Sequence, residues 1–203
     1  MTIKRKFIKH GDVIEISLPR TKGFAYLKII DPTKIEHPID LPAFVRIYNS
    51  FHDKKISSTD ELNRDLLLAP FYLVGQSAAI NKYNWTILKN EPVDSSEEFI
   101  PDTKQSWPPF IEHPEKWGYI KRFDTHIIFS DYEKVKHLDE PSGKHISGIP
   151  FIIELEKLKI QGLDIKKEMG LNDWVEELMY KIYSPLPAFI NLPNNMKGNA
   201  TKT

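Results

Sequence analysis

The chain has 203 residues and a mass of 23.6 kDa, enough for one full hydrophobic core, and its 28 basic residues balance its 28 acidic ones. Balanced charge excludes a global pull toward nucleic acid or a membrane surface, and the lack of cysteine excludes disulfides, thiolate zinc sites and cysteine nucleophiles. The longest apolar run, around Leu66 to Val74, contains Pro70 and is too short to span a bilayer, and the basic start from Lys4 to Lys9 leads into no signal-like segment, so a soluble cytoplasmic protein is expected.

Gly11 to Ile30 reads as a hairpin. Ile14, Ile16 and Leu18 share one face of a strand and Glu15 and Ser17 the other; a turn from Pro19 to Gly23 follows, then a run rich in β-branched and aromatic residues. Asp31-Pro32 breaks the second strand, and Pro38 and Pro42 keep the connection extended until Ala43 to Tyr48 resumes alternation as a third. Ser58-Thr59-Asp60-Glu61 has the form of a capping box ahead of Leu62, Leu66 and Leu67 and predicts a short helix. Phe71 to Gly75 and Trp85 to Lys89 add two strands.

Residues 90 to 116 change character. Pro92, Pro101, Pro108, Pro109 and Pro114 predict a long irregular loop, and Glu91, Asp94, Glu97, Glu98 and Asp102 form an acidic run without an intervening Lys or Arg. Trp117 to Phe123 and His126 to Phe129 read as further strands, and Ser130 to Glu133 as a second capping box opening a short helix. Phe151 to Lys159 suits a strand or a helix equally. An Asn172-capped helix puts Val175, Leu178, Met179 and Ile182 on one face, Pro185 and Pro187 end it, and a polar tail follows from Asn194. The expectation is one α+β domain over 1–193: a bent antiparallel sheet or SH3-like partial barrel with short helices and a C-terminal helix, followed by a disordered tail over 194–203.

No residue set spells out a reaction. Gly75-Gln76-Ser77-Ala78-Ala79 approaches a nucleophile elbow but lacks the last glycine and the surrounding βαβ units. Asp124 and His126, with His113, His137 and His145, have no metal-ligand spacing within one element, and Glu112 and Glu115 beside His113 read as solvated charge in a proline-broken loop. The nine glycines form no phosphate loop, and Lys4, Arg5, Lys6 and Lys9 read as a solvated arm. No catalytic residue, metal or cofactor is therefore expected. Trp107, Phe110, Trp117 and Tyr119 crowd the edge of the acidic loop. Rigid aromatics beside carboxylates suit a protein interface with a desolvated anchor and a charged rim, although Trp107 and Phe110 serve equally as a satellite core that tucks the loop onto the sheet. The candidate partner-binding residues are Asp94, Glu97, Glu98, Asp102, Trp107 and Phe110.

The phrase Lys9-His10-Gly11-Asp12-Val13-Ile14-Glu15-Ile16-Ser17-Leu18-Pro19, followed by Lys22-Gly23-Phe24-Ala25-Tyr26-Leu27-Lys28-Ile29, resembles the opening of the immunity protein 26 family. That resemblance implies an α+β protein of the bacterial cytoplasm that binds a cognate polymorphic toxin, often a nuclease, and blocks it without catalysis of its own, with no small-molecule substrate and no direct nucleic-acid or membrane contact. The hairpin is also similar to the start of barrel ribonuclease toxins of the PemK/MazF class, but those chains are much shorter and carry an Arg-Pro strand that is missing here. An SH3-like adaptor binding a peptide or a nucleic-acid strand is the alternative.

Overall fold

A computed structural model describes residues 7–36, 40–100, 102–107, 116–120, 127–138 and 142–197. The predicted hairpin is β1 (Asp12–Ser17) and β2 (Phe24–Ile30), with Ile14 opposite Leu27 and Ile16 opposite Ala25. Its turn needs the left-handed backbone that Gly23 supplies at φ 88, and a Cβ there would stand 2.5 Å from the His52 carbonyl oxygen. The Gly11-Asp12 pair also has a physical reason. Gly11 sits at φ 79 where a Cβ would collide with the Glu91 carbonyl oxygen, and the buried Asp12 carboxylate accepts from Lys9 N at 2.7 Å and Asn90 Nδ2 at 2.8 Å, tying the entry of β1 to its neighbour strand.

Strands β3 (Phe44–His52), β4 (Phe71–Val74) and β5 (Thr86–Asn90) complete the antiparallel part of the sheet, and the two-residue β9 (Lys144–His145) pairs parallel to β4. Among the described residues the strand order is β5-β1-β2-β3-β4-β9, an open sheet. A second sheet has the order β6-β7-β8, with β6 at Thr103–Trp107, β7 at Lys116–Ile120 and β8 at Ile127–Ser130. The expected irregular loop thus contains a strand: Thr103–Trp107 carries no proline, and its backbone is free to pair along the whole of β7.

Two capping boxes come out differently. Ser58 and Glu61 do cap each other, but the helix ends after one 3-10 turn, Thr59–Glu61. Leu62, Leu66 and Leu67 go to three separate apolar clusters, which one helical stripe cannot reach, and Leu67 N instead bonds to the Ile47 carbonyl at 2.9 Å. Ser130 is taken by β8, so the single-turn helix α1 (Tyr132–Val135) starts behind Asp131 with no side-chain cap, and Glu133 pairs with Lys136 at 2.6 Å.

The ambiguous segment after Gly148 is helix α2 (Ile149–Gln161), opened by Pro150 and closed by left-handed Gly162. Ile149 and Ile153, with Ile146 just ahead of them, pack onto the sheet face formed by Ile14, Ile16, Leu27, Ile29, Val45 and Ile47. Two buried carboxylates on α2 reach in different directions. Glu154 Oε1 accepts from Arg20 N at 2.7 Å and Thr21 N at 2.9 Å in the β1–β2 turn, and Glu156 Oε1 accepts from Phe189 N at 2.5 Å. Beyond α3 (Ile165–Met169), helix α4 (Trp174–Tyr183) is capped by Asp173 rather than Asn172 and packs Met179, Tyr180 and Tyr183 against Phe151, Leu155 and Leu158 of α2. Past the helix, Asn194–Met196 forms a 3-10 turn, Met196 packs beside Phe189 and Leu192, and Lys197 Nζ donates to the Ile190 carbonyl at 3.2 Å. Residues 198–203 lie outside the described residues.

Candidate partner-binding surface

Alternation along β1, β2 and β3 sends the aliphatic residues toward α2 and a second, polar set to the opposite face: Glu15, Tyr26, Lys28, Arg46 and Tyr48. Glu15, on the strand face opposite Ile14 and Ile16, is 2% exposed and pairs with Lys55 at 3.0 Å. Lys55, Ile56 and Leu62 cover the part of the face around Glu15 and Tyr26, and the segment from Glu91 to Ile100 crosses the part around Lys28 as a strap. Val93 and Ile100 enter the apolar cluster of Ile30, Ile35, Phe44 and Tyr72. Glu97 pins the middle of the strap. Its Oε2 lies 2.5 Å from Lys28 Nζ and accepts from Asp94 N at 3.2 Å, its Oε1 accepts from the Tyr48 hydroxyl at 3.2 Å, and Lys28 Nζ also donates to the Pro92 carbonyl at 2.7 Å.

Electrostatics around the pin follow from its burial. Burial, reinforced by the Glu97 charge, pushes the Tyr48 phenol well above its ordinary range. Burial holds the Arg46 guanidinium below its usual value against the opposing pull of Glu97, and its Nε and Nη1 have no hydrogen-bond partner among the described residues. At the start of the strap, burial raises the Glu91 carboxyl, but hydrogen bonds from Arg64 at 2.9 Å and Thr59 at 2.5 Å outweigh it and bring its pKa down to about 2.

The six candidate residues therefore divide. Glu97 faces inward at 7% exposure and holds the strap; it is not on the accessible rim, because Lys28 beneath it must have a counter-charge. Asp94 is exposed, and its carboxyl is kept below the usual range by hydrogen bonds from Ser96. Glu98 is half-buried and accepts from Glu36 N at 3.4 Å, which brings the exposed Glu36 beside it, a neighbour that sequence reasoning missed because 62 residues separate them. Asp102 is half-buried near Tyr72, whose phenol is raised by burial and then by that charge. Trp107 ends β6 opposite Lys116; its side chain and the whole of Phe110 lie outside the described residues. Trp117 and Tyr119 on β7 are half-buried, and Trp117 packs against Tyr132 at 4.9 Å between ring centres.

The candidates for chemistry fall elsewhere. Ser77 sits exposed in a 3-10 turn, Gln76–Ala78, leaving an antiparallel strand, without the helix that an elbow requires. Glu112, His113, Glu115, Asp124 and His126 lie outside the described residues. His145 is exposed with Nδ1 2.7 Å from Ser147 Oγ, and among the described residues no three carboxylates or imidazoles converge on a common point.

The family model described as Immunity protein 26 matches residues 9–106, while no curated protein and no solved structure matches the chain. The matched span contains the Gly-Asp entry, the hairpin, the polar sheet face and the strap that covers it. Over residues 9–106, from the approach to β1 into β6, this chain is similar to the immunity protein 26 family.

Proposed function

We propose that this protein is a bacterial, cytoplasmic immunity protein that binds a cognate toxin and neutralises it by covering its active surface. The observation that carries this reading is the family match together with a strap whose backbone is pinned at Glu97 while Asp94, Glu98 and Asp102 stay accessible or half-accessible beside it. Carboxylates on a fixed frame need little reordering on binding and present a negative rim to a basic surface, such as that of a nuclease that holds phosphates. Trp107 and Phe110 are proposed as the slow-release contacts at the far end of the same segment. No described helix is long and apolar enough to cross a membrane, in keeping with a partner met in solution.

The test is binding kinetics against a candidate cognate toxin domain, sought among the products of neighbouring genes. The triple change Asp94→Asn, Glu98→Gln, Asp102→Asn is expected to lower the association rate about tenfold at low salt and little at high salt, because screening removes exposed-charge steering. Trp107→Ala is expected to act on the dissociation rate. Association and dissociation indifferent to both sets of changes in folded variants, or failure of the wild-type chain to protect cells from that toxin, overturns the reading.

A further inference from the structure

Helix α4 uses only half of its apolar surface inside the fold. Trp174 is 75% exposed, Val175 42%, Leu178 48% and Ile182 49%, and at 100° per residue these four fall on one stripe roughly 100° wide. The stripe borders a groove of about 500 Å³ between α4 and the start of α2, walled by Val175, Leu178, Ile182 and Pro150 and, on its other sides, by the charged Arg20, Asp173 and Glu176. Contiguous apolar surface of this kind on a protein in water marks an interaction site.

We propose that this face binds a second copy of the chain, with two α4 helices packed antiparallel across a two-fold axis at Leu178. The charges beside the stripe favour that occupant. Glu177 and Lys181, both exposed, flank it on the same edge, acidic toward the N-terminal end and basic in the last turn. Antiparallel pairing about Leu178 sets Trp174 against the partner's Ile182 and Glu177 beside the partner's Lys181, and the symmetry repeats both contacts. The chain's formal net charge is zero, so no long-range repulsion opposes association of two copies. A ten-residue helix spans only about 15 Å and offers less than the roughly 800 Å² per partner of a standard interface, so the dimer is a weak, micromolar one that draws on the groove rim as well.

The arrangement is independent of the toxin reading and compatible with it. α4 packs on α2 and touches the sheet at its β9 edge, where Lys144 Nζ donates to the Tyr183 hydroxyl at 2.6 Å, and the strap lies on the sheet's other face, so a dimer closed through α4 points both straps outward.

Sedimentation velocity of the full chain from about 1 to about 500 µM is expected to show the mass rise from that of a 23.6 kDa monomer toward twice that value. Leu178→Asp, at an exposed position that leaves circular dichroism and melting unchanged, is expected to abolish the rise. Glu177→Lys and Lys181→Glu should each weaken the dimer about fivefold, and the two together should restore it, since swapping both charges rebuilds the pair across the axis. A monomer throughout, a dimer untouched by Leu178→Asp, or a double swap that fails to recover would each overturn the proposal; loss of toxin binding with Leu178→Asp and no change in mass would do so by assigning the face to the toxin.

Discussion

Taking an ammonium group out of water costs several kcal/mol unless other groups replace its hydration, and Lys28, at 1% exposure, has a carboxylate at 2.5 Å and a carbonyl at 2.7 Å to do so. Glu97→Ala leaves that charge buried and uncompensated, so we expect a loss of about 3 to 5 kcal/mol in denaturant unfolding. The double change Lys28→Met, Glu97→Leu, which removes both charges, should recover most of it; a double variant as unstable as the single one would mean that the pin works through something other than charge. The sequence shows four similar carboxylates between 94 and 102 and offers no local sign that one of them is turned inward. That distinction depends on a lysine 69 residues away, and on a strand position where alternation would tolerate either solvent or a covering segment.

At the scale of elements, β1, β2 and β3 are legible from alternation and β-branched content, β4, β5, β7 and β8 from short aromatic and β-branched runs, while β6 and β9 are not. Ile14, Ile16 and Leu18 face the core as their period-two spacing predicts, each at 1% exposure or less, and Ile16→Ala is expected to cost about 2 to 4 kcal/mol, read as a drop in melting temperature. An unchanged melting temperature would contradict that packing. β6 was hidden because the prolines around it dominate the local composition, and β9 because two residues carry no period. The capping box at Ser58 is present but heads a single 3-10 turn instead of the short helix that its sequence predicts, since a cap satisfies the first amides whether or not later turns follow. In α4 the apolar face was visible, but a periodic stripe says only that something covers it, and within the described chain just one side of it meets α2.

At the scale of the molecule, His137 and Glu91 couple stability to acid most strongly among the described groups. His137 lies in the wall of a cavity of about 50 Å³ with Lys136 and Lys159, and burial, followed by the charges of Lys104 and Lys136, lowers its pKa to about 4. Its folded value lies below the unfolded value of about 6.5, so the unfolded chain binds the proton first, and stability is full above pH ~6.5 and declines as pH falls toward 4. Glu91, at about 2 when folded and about 4.3 when unfolded, adds a second decline from near pH 4 toward pH 2. Melting temperature against pH should therefore fall in two stages, and His137→Phe should flatten the first while leaving the second; a His137 variant with the wild-type profile would show that this imidazole is not the coupled group.

The hairpin that carries the family resemblance depends on residues far outside the matched span. Its turn amides at Arg20 and Thr21 are satisfied by Glu154, 134 and 133 residues later, and its apolar face is closed by Ile149 and Ile153. A chain emerging residue by residue from the ribosome thus holds an uncovered sheet until α2 has been made, and closure across so long a loop, rather than formation of the local hairpin, sets the pace of folding.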